Sequence, residues 1–233
     1  MSSAVNLLQV ARYLRVYDDA AAERGIRLSI GFDFHQYVSI TRATATKHPT
    51  QPVFRPECSP IDLHEGYWII GYNKKNEVVY LEAARLFNLQ HSNLGEHLQS
   101  LKLFYGEPEK QAHPEDRCIC TAPSARKITG KVAYHGDLWV RSDFRGQGIP
   151  KSIGGIVAGI TLGMWDPDFL CWFGRRWTLD KGVHNPPHCE PGGAILQLVD
   201  ENVSEENWLM WMTREELRRT VDPCDSTKPA LAS

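Results

Sequence analysis

The chain has 233 residues, of which 42% are hydrophobic and 10% are aromatic, so it can bury a full core as one domain or a compact pair. Its net charge of -2 gives no general electrostatic reason to expect a nucleic-acid partner. No signal segment is visible, and the longest largely apolar run, residues 153–165, is too short for a bilayer core of about 30 Å. We therefore expect a soluble cytoplasmic protein without a membrane partner.

The first third of the chain predicts a helix, a strand and a loop, in that order. Apolar residues recur every three or four positions from Val5 to Tyr17, which predicts an amphipathic helix over about residues 4–24 with Gly25 as its stop. Apolar and polar residues then alternate over residues 28–35, the pattern of a half-buried strand. Four prolines within residues 47–62 indicate a loop.

The middle of the chain predicts a hairpin followed by an insertion. Two β-prone runs, residues 67–72 and 78–86, flank turn-forming residues and predict an antiparallel hairpin. Residues 88–125 are interpreted as an insertion that contains a short helix near residues 94–104 and a polar remainder. A connection of this length inside a compact domain is usually functional or disordered.

Six cysteines are scattered along the chain, which favours reduced thiols over a disulfide framework. Two short segments combine histidine with cysteine, and neither has the spacing that makes a zinc motif specific. Polar loops are therefore favoured over a metal site, and no metal is expected. The first segment contains His113, Cys118 and Cys120, and the second contains His184, His188 and Cys189.

A strand, a glycine turn and a helix follow one another over residues 131–163. Gly146 and Gly148 permit a sharp turn, and Pro150 fits the first position of a helix, where its missing N–H costs nothing. Further glycines in the helix would allow it to pack closely on a sheet. Free N–H groups at the helix start, with Arg145 and Lys151 beside them, predict an anion site suited to phosphate or pyrophosphate.

This stretch resembles the GNAT superfamily of acyl-CoA N-acyltransferases. That family has a strand ending in L-x-V, a short turn and then R-G-x-G-I-G at the start of a helix. The matching residues here are Leu138, Trp139, Val140, Arg145, Gly146, Gln147, Gly148 and Ile149. In two places the chain departs from the pattern: Pro150 replaces a glycine and removes one N–H donor, and Thr178 stands where many members have a tyrosine that serves as general acid.

The resemblance implies an α/β (α+β) fold with a mixed, mostly antiparallel and splayed sheet flanked by helices. In this chain an N-terminal helix and the insertion before the central strand are added to it. The family's next strand is matched by residues 168–175, and its last helix by residues 175–183. Its closing hairpin is matched by residues 194–200 together with residues 207–213. We expect one domain over residues 1–221 and a flexible tail over residues 222–233.

The resemblance also implies an N-acyltransferase that moves an acetyl or other acyl group from acyl-CoA to an amine of a small molecule or protein. The turn, with Lys151 and Ser152, would bind the pyrophosphate of coenzyme A, and the backbone of residues 138–140 would pair with the pantetheine arm like an added strand. We further expect the polar remainder of the insertion, which includes His113, Glu115, Asp116 and Arg117, to form a lid over the acceptor side of the splayed strands. A surface excursion without ligand contact is the alternative. Two alternatives stay open: a non-catalytic acyl-CoA-binding or interaction module, and acyl transfer from a carrier protein.

Catalysis of this kind needs a group that removes a proton from the amine. Glu82 on the hairpin, and His135 and Asp137 on the central strand, are the candidates. The sequence does not define the acceptor, the acyl chain length or the oligomeric state.

Overall fold

The structure, a computed structural model, describes residues 4–223. Within this range the helices are α1 (Leu7–Glu23), α2 (Phe34–Ala43), α3 (Leu94–Gln99), α4 (Pro108–Gln111), α5 (Ile149–Ile153), α6 (Ile156–Trp165), α7 (Arg176–Asp180) and α8 (Arg214–Val221). The strands are β1 (Arg27–Gly31), β2 (Gly66–Tyr72), β3 (Val78–Leu89), β4 (Arg117–Ile119), β5 (Gly130–Val140), β6 (Phe169–Gly174), β7 (His188–Leu198) and β8 (Val203–Thr213). Cys224 and most of the predicted tail lie outside the described residues.

The strands form one sheet in the order β1-β2-β3-β5-β6-β8-β7-β4. Neighbouring strands are antiparallel except β5 and β6, which are parallel. These two pair over three positions, from Val132 with Phe169 to Tyr134 with Cys171, and then separate. The predicted mixed, mostly antiparallel sheet with a splay beside the central strand is confirmed.

Each face of the sheet carries its own apolar core. On one face α1, α5, α6 and α8 cover side chains such as Tyr80, Ala133 and Leu170. On the other face α2, the loop after it and the insertion cover side chains such as Leu81, Val132 and Cys171. Because successive side chains of a strand point to opposite faces, each central strand contributes to both cores.

The N-terminal helix and the hairpin match the sequence predictions, and Gly25 ends α1 with a φ of +69°. The predicted strand over residues 28–35 is wrong in its second half, because β1 ends at Gly31 and α2 begins at Phe34. The carboxylate of Asp33 accepts hydrogen bonds from the backbone N–H groups of His35 (2.9 Å) and Gln36 (3.2 Å). An aspartate in this position is a strong helix cap.

Gly155, just before α6, and Gly159 within it pack against α1, and the prediction that these glycines pack on the sheet is wrong. A Cβ added at Gly155 would lie 2.1 Å from the ring of Tyr17, and one added at Gly159 would lie 2.7 Å from Leu14. The missing side chains therefore let the two helices approach each other closely. Gly154 and Gly155 also separate α5 from α6.

The insertion docks on the domain through its helix, as predicted. Leu94 and Leu98 of α3 are buried, and the helix ends at Gln99, two residues before Leu101 takes a φ of +59°. An unpredicted strand, β4, then pairs antiparallel with β7 at the far edge of the sheet. The lid role of the polar remainder stays a prediction.

We expect Gly193→Ala to destabilise the fold by about 1–3 kcal/mol, the usual cost of overpacking. A Cβ at Gly193 would lie 2.3 Å from the backbone nitrogen of Leu209, which cannot move without shifting β8. Urea unfolding would measure the loss. Gly163→Ala is the matched control, because its added methyl meets one Val10 methyl group at 3.2 Å and no described backbone atom of another strand, while alanine favours the helix. Equal stability of the two variants would contradict the prediction.

Candidate active site

A β-bulge lies at the centre of the site. Leu81 of β3 pairs with Trp139 of β5, and Ala83 pairs with Gly136, so Asp137 and Leu138 together face Glu82. Asp137 has a φ of +57°, a left-handed conformation that aspartate tolerates better than most residues. Bulges of this kind re-aim side chains next to functional sites.

The separation of β5 and β6 gives access to the bulge from both faces of the sheet. The helix-side cavity, of about 550 Å³, is bounded by Glu82, Pro150, Lys151 and Ala158 among others. The loop-side cavity, of about 230 Å³, lies on the opposite face, and its lining residues include Tyr134, Asp137, Glu205 and Asn207. Both cavities are lined by the same five residues at the splay: His135, Leu138, Trp172, Val183 and His184.

The structure brings Glu82 and His135 together as a buried pair. His135 Nδ1 lies 2.9 Å from Glu82 Oε1, and the hydroxyl of Tyr80 donates to the other carboxylate oxygen. Burial, together with the charge of Glu82, raises the pKa of Tyr80 well above its usual range, so the phenol keeps its proton. A carboxylate that accepts from Nδ1–H leaves Nε2 of the same ring as a proton acceptor.

Asp137 belongs to a separate buried network. Its carboxylate lies 2.9 Å from the ammonium of Lys47 and accepts a hydrogen bond of 2.8 Å from the hydroxyl of Tyr37. The side chains of Lys47 and Asp137 are fully buried. Sequence reasoning missed Lys47 and Tyr37, since one lies in a proline-rich loop and the other in an unpredicted helix.

Two further residues at the splay, His184 and Trp172, were not identified from the sequence as active-site candidates. Burial, and the nearby His135, lower the pKa of His184 to about 4, so its imidazole is neutral near pH 7. The Trp172 ring lies between the two histidines, with centroids 4.9 Å from His135 and 6.3 Å from His184. Its Nε1 is a buried donor with no hydrogen-bond partner within residues 4–223. Such groups are costly, which makes them rare in native structures.

The glycine turn presents open backbone beside the helix-side cavity. Gly146 and Gly148 have φ angles of +76° and +71°, and apart from the adjacent residues no described heavy atom lies within 4 Å of a Cβ built at either position. Gly148 precedes α5 without a side-chain cap, so the first N–H groups of that helix find no partner there. Arg145 Nε donates to the carbonyl of Val140 (2.7 Å) and ties the turn to β5.

The other predicted cofactor-binding residues differ in what they can offer. Leu138 lines both cavities, whereas the side chains of Trp139, Val140 and Ile149 are buried in the cores, so these three could contact a ligand through their backbone. Lys151 lines the helix-side cavity. Two polar groups already have hydrogen-bond partners inside the protein. The backbone N–H of Ser152 donates to the carbonyl of Gly148 (3.0 Å), and the side-chain amide of Gln147 donates to the backbone carbonyl of Asp143 (2.8 Å).

Thr178 lies on α7 at the wall of the loop-side cavity. Its hydroxyl donates to the carbonyl of Arg175 at 2.7 Å. This contact ties the threonine side chain to the backbone of its own helix turn.

Residues 4–223 contain no group of three or more side chains placed to hold a metal ion. In the first of the two segments that combine histidine with cysteine, Cys118 is buried in β4. In the second, His188 Nε2 lies 2.8 Å from a carboxylate oxygen of Glu216. Across residues 4–223, no helix combines the length and apolarity needed to cross a membrane.

Comparison with known proteins gives low similarities. No family model matches the sequence, and no curated protein sequence matches it. Arabidopsis thaliana NAA60 in complex with acetyl-CoA has 10% identity and a TM-score of 0.43, with 81% of this chain and 98% of that chain covered. Ribosomal-protein-S5-alanine acetyltransferase from Vibrio fischeri has 9% identity, a TM-score of 0.42 and coverages of 83% and 95%. FeeM, an N-acyl amino acid synthase from uncultured soil microbes, has 8% identity, a TM-score of 0.41 and coverages of 97% and 96%.

Proposed function

We propose that this protein is a GNAT-type N-acyltransferase that moves an acetyl or other acyl group from acyl-CoA to an amine. The observation that carries the proposal is the meeting of two cavities, one from each face of the sheet, at His135 in the gap between β5 and β6. A donor and an acceptor entering from opposite faces would meet there. If the glycine turn were only a structural connection with no ligand, the protein would have no need of the loop-side cavity on the opposite face.

The helix-side cavity and the glycine turn fit an acyl-CoA. The open backbone at Gly146 and Gly148 and the uncapped start of α5 suit a pyrophosphate, with Lys151 beside it. Because β6 has separated from β5, the edge of β5 at residues 138–140 has no strand partner on that side within the described chain and can pair with an amide-containing arm. The Val140 carbonyl already accepts from Arg145, so the pairing would use the other backbone groups of this edge. Acyl-CoA would supply the activated acyl group as its thioester.

On this proposal the acceptor amine enters through the loop-side cavity. His135 Nε2 takes a proton from the amine as its nitrogen bonds to the acyl carbon, and Glu82 stabilises the resulting imidazolium. The carbon–sulfur bond breaks, and the leaving coenzyme A thiolate takes the proton from the His135 imidazolium, which restores the neutral base. His135 is thus the proposed base and Glu82 the residue that positions it.

Asp137 is the third base candidate, and its contacts favour a different role. Its carboxylate already binds Lys47 and Tyr37, so it holds the bulge in place.

Phe104 is the residue that the insertion contributes to the wall of the loop-side cavity. The single domain over residues 1–221 and the cytoplasmic location likewise stay proposals.

We expect Gly148→Asp to weaken acetyl-CoA binding tenfold or more, because it places a carboxylate where the pyrophosphate should lie. Calorimetry with acetyl-CoA measures this. Gly25→Asp is the matched control: it has a similar φ of +69° and lies at the end of α1, away from both cavities. Unchanged affinity in Gly148→Asp would remove the binding site from the turn.

A turnover assay then separates the two classes of function. Release of free thiol from acetyl-CoA in the presence of an amine panel supports the enzyme. Tight acetyl-CoA binding without turnover on any amine would favour the non-catalytic binding module. Turnover that requires an acyl carrier protein would favour the third alternative.

A further inference from the structure

A third cavity adjoins the loop-side cavity and is lined by basic side chains. This basic cavity, of about 290 Å³, is lined by Arg42, Lys47, His48 and Arg55, together with apolar and hydroxyl side chains. No acidic residue of the described chain lines it. His48 lines both cavities, so the two are separated by little more than one side chain.

We propose that the acceptor is a small amine that also bears an anionic group, a carboxylate or a phosphate. The amine would occupy the loop-side cavity, and the anion would occupy the basic cavity. This inference rests on the proposed N-acyltransferase function and narrows its acceptor to one chemical class.

The basic cavity has hydrogen-bond donors to spare. Arg42 uses Nη2 for Glu57 (2.8 Å), and Arg55 uses Nη2 for Glu201. Each guanidinium has five N–H donors, so both retain donors for a ligand. Arg55 Nε is moreover buried without a hydrogen-bond partner within residues 4–223. A bound carboxylate or phosphate suits such donors because planar guanidinium groups can bind it through two parallel bonds.

The loop-side cavity has the complementary character. The carboxylate of Glu205 lines it and accepts from Arg175 Nη2 (2.8 Å) and Asn207 Nδ2 (3.2 Å). The aromatic rings of Phe104, Tyr134 and Trp177 form much of the remaining wall. A carboxylate and aromatic faces are the groups that attract an ammonium before it loses its proton.

The buried ion pair between the cavities is oriented in the same sense. Its negatively charged residue, Asp137, lines the loop-side cavity, and its positively charged residue, Lys47, lines the basic cavity. The dipole of this pair therefore favours a positive group on one side and a negative group on the other. Desolvation and the charge of Lys47 lower the pKa of His48, which favours the neutral form of the imidazole that lines both cavities.

The cavity volumes favour a small molecule. Both are at or below the lower end of the range for drug-sized ligands. A protein substrate would present its amine at the end of an extended chain and would leave the basic cavity unfilled unless an acidic side chain followed.

The test compares amines that differ in the anionic group while acetyl-CoA is held at saturation. The first set is phenylalanine, phenylalaninamide and phenethylamine; the second is phosphoethanolamine and ethanolamine. We expect kcat/KM to be at least tenfold higher for the anionic members of one set, and the two sets distinguish carboxylate from phosphate. Equal or higher kcat/KM for the neutral amines would overturn the inference and leave the proposed function standing. Acetyl-CoA binding with no turnover on any amine would overturn both.

Arg42→Gln provides the second arm, since the Arg42 side chain is 68% exposed and its loss should not unfold the protein. We expect this variant to raise KM for the preferred anionic amine and to reduce the ratio of kcat/KM between anionic and neutral amines by fivefold or more. Arg15→Gln is the matched control, because Arg15 is an exposed arginine on α1 that also pairs with one acid, Asp19. A ratio in Arg42→Gln equal to that in Arg15→Gln would overturn the assignment of the basic cavity.

Discussion

His135→Gln should lower turnover by about 10²-fold or more while leaving acetyl-CoA affinity near normal. Glutamine can still donate a hydrogen bond to Glu82, but it has no basic nitrogen to accept the amine proton. Steady-state release of coenzyme A thiol, with calorimetry for binding, measures the two effects separately. His91→Gln, an exposed histidine in the turn after β3, is the matched control.

Glu82→Gln tests the other half of the pair. The amide removes the negative charge that stabilises the imidazolium, so we expect a loss of turnover similar in direction to that of His135→Gln. Because the two residues act as one unit, the double variant should lose little more than His135→Gln does. Full turnover in both single variants would show that the base lies elsewhere or that free amine is taken directly from solution.

Lys47→Met should lower the free energy of unfolding by about 3–5 kcal/mol, the usual cost of leaving a buried charge unpaired. The carboxylate of Asp137 would then remain in a site with no accessible surface, with Tyr37 as its donor. Urea unfolding would measure the loss. Arg15→Gln, which breaks an exposed pair, should cost about 1 kcal/mol or less.

The double variant Lys47→Met, Asp137→Asn removes both charges and should recover much of that stability. Asparagine also tolerates the positive φ at this position. The same variant decides between the base candidates, since its fold is restored while the Asp137 carboxylate is gone. Because Lys47 also lines the basic cavity, its loss can raise KM for the acceptor, so the comparison uses kcat at saturating amine. A kcat close to wild type would assign Asp137 a purely structural role, and a 10²-fold loss of kcat in the folded protein would make it the base.

The parts of the fold that the sequence predicted are those with local signals. The hairpin of β2 and β3 and the glycine turn depend on residues close together in the chain, so turn chemistry and periodicity suffice. Helix α2 was missed because alternation over residues 28–35 matches a strand until Asp33 caps the helix. The cap is visible in the sequence, but it competes with a stronger periodic pattern.

The site could be predicted as a set of residues and not as an arrangement. Glu82 and His135 were each identified as possible bases, but they lie 53 positions apart, and their contact depends on the bulge that shifts the register of β3 and β5. The ion pair of Lys47 with Asp137 spans 90 positions. Contacts of this kind follow from tertiary packing, for which a single sequence carries no local signal.

The strand β4 has a consequence for how the protein is made. It lies in the insertion, yet it pairs with β7, and Ile119 and its partner Ile195 are 76 positions apart (195 minus 119). At a synthesis rate of about 5–20 residues per second, β4 leaves the ribosome roughly 4–15 s before its partner does. During that interval Cys118, buried in the finished protein, is open to solvent and to oxidants. Chaperone binding to residues 117–119 of the nascent chain would protect both the unpaired strand and its thiol.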